Sequence, residues 1–310
     1  MWMLRLYQSI EPTMSEPTLH FVNCPDAQGS HRMAYWQWGN PQAEHVVLCV
    51  HGLSRQGRDF DVLARALIAQ STELKVVCPD VVGRGQSDYL ADPAGYQIPA
   101  YAADMLALLA DLKPKTLDWV GTSMGGLIGL VISGQPDLPL SAPVRRLVLN
   151  DVGPVIEWQA LQRIGEYLGR PLNFASVSAA SDFLLSISPS FGPHTPEAWR
   201  ALSGPMIKPI HDGSGQFALH YDPAIAVPFR GLTPEAALQG EALLWHLYDA
   251  ITATTLLTRG EQSDLLSPET AHAMTQRGPK ARLIEFAGVG HAPTFVAPDQ
   301  VQAVASFLLN

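Results

Sequence analysis

The chain has 310 residues, 47% hydrophobic and 16% charged, so it can bury a sizeable core and is not intrinsically disordered. Its 20 basic and 29 acidic side chains give a formal net charge of −9, which disfavours nucleic acid and anionic membrane surfaces as partners. Three scattered cysteines argue against a disulfide framework and a zinc site, and they fit a reducing, cytoplasmic compartment.

The first residues form a short apolar stretch, Met1 to Ile10, which Arg5 interrupts. No small-residue cleavage site follows it, and no stretch reaches the ~18 apolar residues that a membrane span needs. We therefore expect residues 1–17 to be an extension rather than a secretory signal. Met14 is an alternative start.

Strand-like and helix-like segments then alternate as far as residue 153. An opening pair of strands is predicted at 19–23 and 32–38, and short Val- and Leu-rich runs follow at 45–50, 74–78, 116–120 and 144–150. Helical spacing separates these runs at 58–69, 99–112 and 125–133. Continuous apolar strands alternating with helices are typical of a parallel sheet covered on both faces, so the pattern predicts a doubly wound α/β fold.

The pattern changes at Gly153-Pro154. Helices are predicted at 158–168, 177–187, 196–202 and 234–247, with a short extended piece at 217–221. Strands return at 253–258 and 282–286, before a closing helix at 301–309. We therefore expect residues 154–249 to be a helical insert in one core domain made of residues 18–153 and 250–310.

A nucleophile elbow is predicted at Gly121-Thr122-Ser123-Met124-Gly125, directly after the strand at 116–120. The pattern G-x-S-x-G places a serine on a sharp turn between a strand and a helix. Glycines two residues to either side are needed because a Cβ there would collide with a neighbouring strand or helix. Ser123 is thus the candidate nucleophile.

A serine hydroxyl needs a general base, and His291 is the candidate. It lies in Gly288-Val289-Gly290-His291-Ala292-Pro293, a tight loop after the strand at 282–286. This loop is expected at the same edge of the sheet as Ser123. The other histidines lack such a setting.

The histidine in turn needs a carboxylate to fix its tautomer. We expect this to be Asp264, in the loop after the strand at 253–258, because it gives the chain order Ser, Asp, His. Glu261 is the nearest rival. Asp151 is a second rival, since it follows the strand at 144–150 at the same sheet edge.

Two backbone N–H groups are needed to stabilise an oxyanion. Met124 follows the nucleophile directly, and Leu53 lies in His51-Gly52-Leu53-Ser54 after the strand at 45–50, so these two residues are the candidate donors. His51 is expected to make structural hydrogen bonds.

The polar loop 80–88 contains Gly83-Arg84-Gly85 but lacks a complete phosphate-binding motif. It is predicted to be structural, with Arg84 and the aspartates tied to each other and to the backbone.

Together these motifs resemble the α/β-hydrolase superfamily over the chain from about residue 18 to its end, outside the central insert. The resemblance implies a mostly parallel eight-stranded sheet, a helical cap at 154–249, and no metal or organic cofactor. It also implies that Ser123, Asp264 and His291 match the nucleophile, acid and base, and that Leu53 and Met124 match the oxyanion hole. Ser123 argues against the epoxide hydrolases and haloalkane dehalogenases of this superfamily, in which the elbow carries aspartate.

We therefore expect a serine carboxylester hydrolase that acts on small to medium apolar esters. A lactonase or a meta-cleavage-type C–C hydrolase would use the same residues. The chain departs from the C–C pattern at two places: Leu265-Leu266-Ser267 follows the acid, and Leu53-Ser54-Arg55 follows His51-Gly52. A slow ligand receptor is the third hypothesis. Five apolar cap residues are candidates for lining the substrate pocket, although apolar residues at helical spacing could equally form the core of the cap: Trp158, Phe183, Leu184, Trp199 and Trp245.

Overall fold

The computed structural model describes residues 16–310, so most of the expected N-terminal extension, including Met14, lies outside the described residues. The first half of the chain alternates strands with helices, as expected. Its elements are β1 (Thr18–Asp26), β2 (Gly29–Gly39), β3 (His45–Val50), α1 (Asp61–Gln70), β4 (Leu74–Pro79), α2 (Ile98–Leu112), β5 (Thr116–Thr122), α3 (Met124–Gly134) and β6 (Val144–Asn150).

The segment between β6 and the next strand of the main sheet is mostly helical, and we refer to residues 154–249 as the cap segment. It also contains a three-stranded antiparallel sheet that the sequence pattern indicated only at 217–221. The elements are α4 (Trp158–Tyr167), β7 (Asn173–Phe174), α5 (Val177–Ser186), α6 (Pro196–Ser203), β8 (Ile207–Pro209), β9 (Phe217–Leu219), α7 (Ala226–Arg230) and α8 (Pro234–Ala250).

The chain then returns to the main sheet and ends on a helix. The last elements are β10 (Thr254–Gly260), α9 (Pro268–Gln276), β11 (Arg282–Phe286) and α10 (Pro298–Leu309). No helix within residues 16–310 is long and apolar enough to cross a membrane.

Eight strands form one sheet in the order β1-β2-β4-β3-β5-β6-β10-β11. The pairs β1–β2 and β2–β4 are antiparallel and all other pairs are parallel. Every residue of β4 is buried, as expected for a strand whose two faces are both covered. The predicted doubly wound α/β fold with a mostly parallel eight-stranded sheet is confirmed.

The two faces of the sheet have separate apolar cores. One includes Met105 and Ile128, on α2 and α3, and the other includes Leu67 and Leu308, on α1 and α10. Because β3, β5, β6, β10 and β11 run parallel, the loops that follow them meet at one edge of the sheet. That edge is where a site assembled from several strands is expected in an open α/β sheet.

Candidate active site

Ser123 occupies a strained turn between β5 and α3. Its backbone has φ 52° and ψ −116°, outside the conformations that L residues ordinarily adopt. A Cβ added to Gly125 would lie 1.9 Å from the carbonyl oxygen of Val50, and one added to Gly121 would lie 2.3 Å from the carbonyl oxygen of Gly125. The expected steric need for both glycines is therefore confirmed.

We predict that Gly125→Ala lowers the free energy of unfolding by at least about 1–3 kcal/mol, because α3 or β3 must move to accept the methyl group. Gly165→Ala on α4 is the matched control, since its added Cβ would lie 3.5 Å from the nearest atom of Phe229, an ordinary contact. Helix propensity alone favours alanine by up to about 1 kcal/mol at such a position. Urea unfolding of both variants measures the difference; equal stability would contradict the steric argument.

His291 connects Ser123 to a carboxylate. Its Nε2 lies 3.0 Å from the Oγ of Ser123, and its Nδ1 lies 2.7 Å from Oδ2 of Asp151. Such a chain of hydrogen bonds allows an imidazole to remove the serine proton while the carboxylate stabilises the resulting imidazolium. Ser123 and His291 are thus brought together as the sequence suggests, and the contact is short enough for proton transfer.

The carboxylate on His291 belongs to Asp151, so the prediction that Asp264 orients this histidine is wrong. Asp264 instead receives two hydrogen bonds from the guanidinium of Arg163, at 2.8 and 3.0 Å, and its side chain is 49% exposed. Glu261 does not replace it, because its carboxylate accepts a hydrogen bond from the N–H of Gly288. The reason lies in the strand order: β6 pairs with β5, so the residue after β6 lies beside the elbow.

Asp151 is fully buried and held from several sides. Its carboxylate accepts hydrogen bonds from the N–H of Gly260 at 2.8 Å and from the hydroxyl of Ser263 at 2.6 Å. These donors compensate the burial of its charge and fix the oxygen that faces His291. Asp151 also has a positive φ of 54°, which turns the chain sharply at the end of β6.

Asn150, which sequence reasoning did not single out, joins three segments of the chain at this edge. Its Nδ2 donates to Oγ1 of Thr122 at 2.9 Å and to the carbonyl oxygen of Pro293 at 2.8 Å. Its Oδ1 accepts from the hydroxyl of Thr258 at 2.8 Å. The elbow, the His291 loop and β10 are thereby held in one arrangement. An asparagine at the end of an apolar strand-like run, directly before an aspartate, is the sequence signal that could have found it.

The backbone N–H groups of Leu53 and Met124 remain available beside Ser123. Neither donates a hydrogen bond to a residue in the range 16–310, and both residues line a cavity together with Ser123. The buried guanidinium of Arg84 supports both residues: Nε donates to the carbonyl oxygen of Leu53 at 2.8 Å, and one Nη lies 3.6 Å from Sδ of Met124. This geometry suits the predicted oxyanion donors.

His51 is structural, as expected. Its Nδ1 donates to the carbonyl oxygen of Gly52 at 2.7 Å, and its Nε2 accepts from the N–H of Val81 at 2.9 Å. Burial lowers the pKa of His51 to about 3, so the ring stays neutral at neutral pH.

The loop 80–88 is also structural. The carboxylate of Asp80 accepts hydrogen bonds from the backbone N–H groups of Gly57 and Gln86, and the carboxylate of Asp88 from that of Arg32. The guanidinium of Arg84 donates to the carbonyl oxygen of Val82 and to the hydroxyl of Tyr101. The predicted tie between this loop and the backbone is confirmed, although Arg84 contacts carbonyl and hydroxyl groups rather than aspartates.

Ser123 lies in the wall of two cavities. A small cavity of about 100 Å³ lies on the side of His291, Arg55 and Arg163, and a large cavity of about 670 Å³ lies on the side of Met124, between the core and the cap segment. Leu53 and Ile164 line both. An ester held at Ser123 would therefore have one half on each side.

Three of the five candidate cap residues line these cavities. Phe183 and Leu184 line the small cavity, and Trp158 lines the large one. Trp199 and Trp245 line neither, so the prediction is wrong for them. Trp199 is buried against Leu202 and Met206, and Trp245 packs against Tyr248 and under the guanidinium of Arg277. Their amphipathic spacing reflects packing in the cap segment.

A second buried polar cluster lies away from this site, between β1, β2 and α2. Cys24, His31 and Asp104 bring potential metal-ligand atoms within 4.8 Å of one another. However, both nitrogens of His31 already face carboxylates, Asp26 at 2.9 Å and Asp104 at 3.1 Å. Hydrogen bonds with Asp104, Cys24 and Asp26 raise the pKa of His31 to about 11. His31 and its two aspartates therefore form an ion-paired cluster in which both ring nitrogens are already occupied.

We predict that His31→Gln lowers stability at pH 7, and that the difference from wild type shrinks as the pH rises. The reason is that folded His31 keeps its proton up to about pH 11, while the unfolded chain loses it near its ordinary pKa of 6.5. The stabilisation is thus complete below pH 6.5 and is lost as the pH rises toward 11. Denaturant unfolding from pH 6 to 10 measures this, with exposed His272→Gln on α9 as control. A difference that does not change with pH would contradict the assignment.

Known proteins resemble this chain along most of its length. Residues 47–305 match the model of the "Alpha/beta hydrolase family". A 3-hydroxybutyrate-oligomer hydrolase from Cupriavidus necator is 49% identical over 294 residues, 94% of this chain and 98% of that protein. A 2-(acetamidomethylene)succinate hydrolase from Mesorhizobium japonicum is 27% identical over 85% of this chain and 87% of its own length.

A solved structure is similar over nearly the whole chain as well. The crystal structure of an alpha/beta hydrolase from Novosphingobium aromaticivorans has a TM-score of 0.80 and 34% sequence identity. The match covers 95% of this chain and 99% of that one.

Proposed function

Because this chain belongs to the alpha/beta hydrolase family, we propose that it is a serine carboxylester hydrolase and that its substrates are short oligomers of 3-hydroxybutyrate. The observation that carries the serine mechanism is the hydrogen-bonded chain from Ser123 through His291 to Asp151. The substrate class is supported by the 49% identity to a 3-hydroxybutyrate-oligomer hydrolase over almost the full length of both proteins.

In the proposed reaction, the Oγ of Ser123 attacks the ester carbonyl while Nε2 of His291 takes its proton. The buried carboxylate of Asp151 stabilises the imidazolium, and the N–H groups of Leu53 and Met124 donate to the oxyanion. The C–O bond then breaks, and His291 returns the proton to the leaving alcohol. Water, activated by the same histidine, releases the acid and regenerates Ser123.

The two cavities support an ester substrate with one larger and one smaller half. A volume of about 670 Å³ lies within the range of sites that enclose small-molecule ligands, and most of its lining is apolar. A chain of methyl-substituted ester units has the apolar surface to fill such a space. Leu53 and Ile164 line both cavities beside Ser123. These two residues would hold the scissile ester between them.

The test is a comparison of substrates. Purified protein is incubated with the linear dimer and trimer of 3-hydroxybutyrate, with p-nitrophenyl butyrate, and with butyrolactone, and the products are quantified by chromatography. We expect the oligomers to be cleaved with the highest kcat/KM. Faster turnover of the lactone would favour a lactonase, and tight binding without turnover would favour the receptor hypothesis.

A further inference from the structure

The two cavities beside Ser123 differ in charge. Among residues 16–310, the large cavity has one charged lining residue, Glu241, and the rest of its lining is neutral. The small cavity is lined by two guanidiniums, Arg55 and Arg163, and by no carboxylate from the described residues. An anionic group at one end of a substrate would therefore be favoured on one side of Ser123 only.

Each guanidinium is paired with an aspartate and keeps one nitrogen available. Arg55 uses Nε and one Nη on Asp59, and Arg163 uses Nε and one Nη on Asp264. Neither aspartate lines the small cavity. The second Nη of each arginine donates to no residue in the described part of the chain, 16–310. Fixed guanidiniums with a spare N–H are well suited to bind a carboxylate.

The hydroxyl of Tyr167 is a third donor without a protein partner. Tyr167 lines the small cavity and is half-buried, and its hydroxyl makes no hydrogen bond with any residue from 16 to 310. It follows Arg163 by four residues on α4, so both side chains lie on one face of the helix. A phenolic hydroxyl can donate one hydrogen bond, so this group is free to bind an acceptor atom of a ligand in the small cavity.

We propose that the small cavity binds the free carboxylate of the substrate through Arg163 and Tyr167, with Arg55 as a further lining cation, so that the enzyme removes one hydroxy acid at a time from the carboxyl end. This inference rests on the proposed function. The terminal 3-hydroxybutyrate unit is then the leaving alcohol, and the remaining oligomer is the acyl group in the large cavity. The C–O bond of the last ester breaks, His291 protonates the departing oxygen, and water later releases the shortened oligomer as its acid.

The sizes of the two cavities agree with this direction. The small cavity, at about 100 Å³, is far smaller than the large one at about 670 Å³, so it takes a short terminal unit rather than a chain. The large cavity takes the longer acyl part. The reverse placement would put the anionic end beside Glu241 and leave the cationic donors of the small cavity without an anion.

The test compares the linear trimer of 3-hydroxybutyrate as its free acid and as its methyl ester, with ¹³C in the carboxyl-terminal unit. Wild type should prefer the free acid by about 10-fold or more in kcat/KM, as expected for charge-assisted hydrogen bonds. The first monomer released from the free acid should carry the label. Arg163→Gln should lower the preference for the acid toward one, mainly through KM. Tyr167→Phe should do so to a smaller extent.

Two variants serve as controls. Arg163→Lys keeps the charge and should restore part of the preference. Arg170→Gln removes an exposed arginine just beyond α4 that lines neither cavity, so the preference should stay as in wild type. This variant separates local binding from the change in net charge.

The outcomes are distinguishable. Ser123-dependent turnover with equal kcat/KM for acid and ester, or with unlabelled monomer released first, would overturn the carboxylate site and leave the proposed function standing. Failure to cleave either trimer would overturn the proposed function, and the carboxylate site with it. A preference that survives in Arg163→Gln but falls in Arg170→Gln would also refute the assignment.

Discussion

Asp151→Asn should lower kcat on p-nitrophenyl butyrate by about 10⁴-fold, whereas Asp264→Asn should lower it by less than about 10-fold. Asparagine has nearly the same shape as aspartate but cannot stabilise the imidazolium, and its amide can hold His291 in the wrong tautomer. Asp151 lies 2.7 Å from Nδ1 of His291, while Asp264 pairs with Arg163. A neutral ester is chosen because it does not depend on Arg163 for binding.

The comparison is informative only if both variants fold. Asp151 accepts hydrogen bonds from Gly260 and Ser263, so Asp151→Asn could also lower stability, and thermal unfolding must accompany the kinetics. A folded Asp151→Asn with nearly full kcat, or a loss in Asp264→Asn as large as that in Asp151→Asn, would show that the carboxylate has been misassigned.

Ser123→Ala should abolish measurable turnover, a loss of at least about 10⁴-fold in kcat. Without the hydroxyl, no acyl-enzyme can form, and any remaining rate would come from water that the N–H groups of Leu53 and Met124 assist. Alanine adds no atom to the elbow, so the backbone strain at this position should persist without a new clash. The measurement is steady-state hydrolysis with mass spectrometry of the protein after rapid quenching, which should show an acyl adduct in wild type only.

The matched control is Ser188→Ala. Ser188 lines the same small cavity but lies in the cap segment, and its hydroxyl makes no hydrogen bond with residues 16–310. Its loss should change kcat by no more than a few-fold. If Ser123→Ala retained turnover and an acyl adduct, another residue would be the nucleophile.

The elbow and the base could be predicted because their signals are local. A serine between two glycines needs the strand before it and the helix after it, and all three occur within one short stretch of sequence. The acid could not be chosen in this way, because Asp151 and Asp264 both follow a strand and both give the order Ser, Asp, His. Which of them reaches His291 depends on the order of the strands in the sheet, and that is a property of the assembled fold.

The cap segment was harder to predict than the core for a related reason. Strands β7, β8 and β9 have two or three residues each, too few to show an alternating pattern. The apolar spacing on the cap helices identified residues that are buried, but it did not distinguish burial against another helix from burial around a cavity. Leu184 and Trp199 illustrate this, since they contact the same apolar cluster and only Leu184 reaches the site.

Because the catalytic acid is Asp151, directly after β6, the loop that carries Asp264 can be altered to change the range of substrates. Asp264 holds Arg163 at the small cavity, and the adjacent Leu265 lines the large one, yet neither has a role in the proposed chemistry. Of these two neighbouring residues, Leu265 thus contacts one half of the substrate space directly, and Asp264 influences the other half only through Arg163. A combinatorial library limited to positions 264 and 265 would therefore sample new acyl and alcohol preferences while every member keeps the same catalytic apparatus.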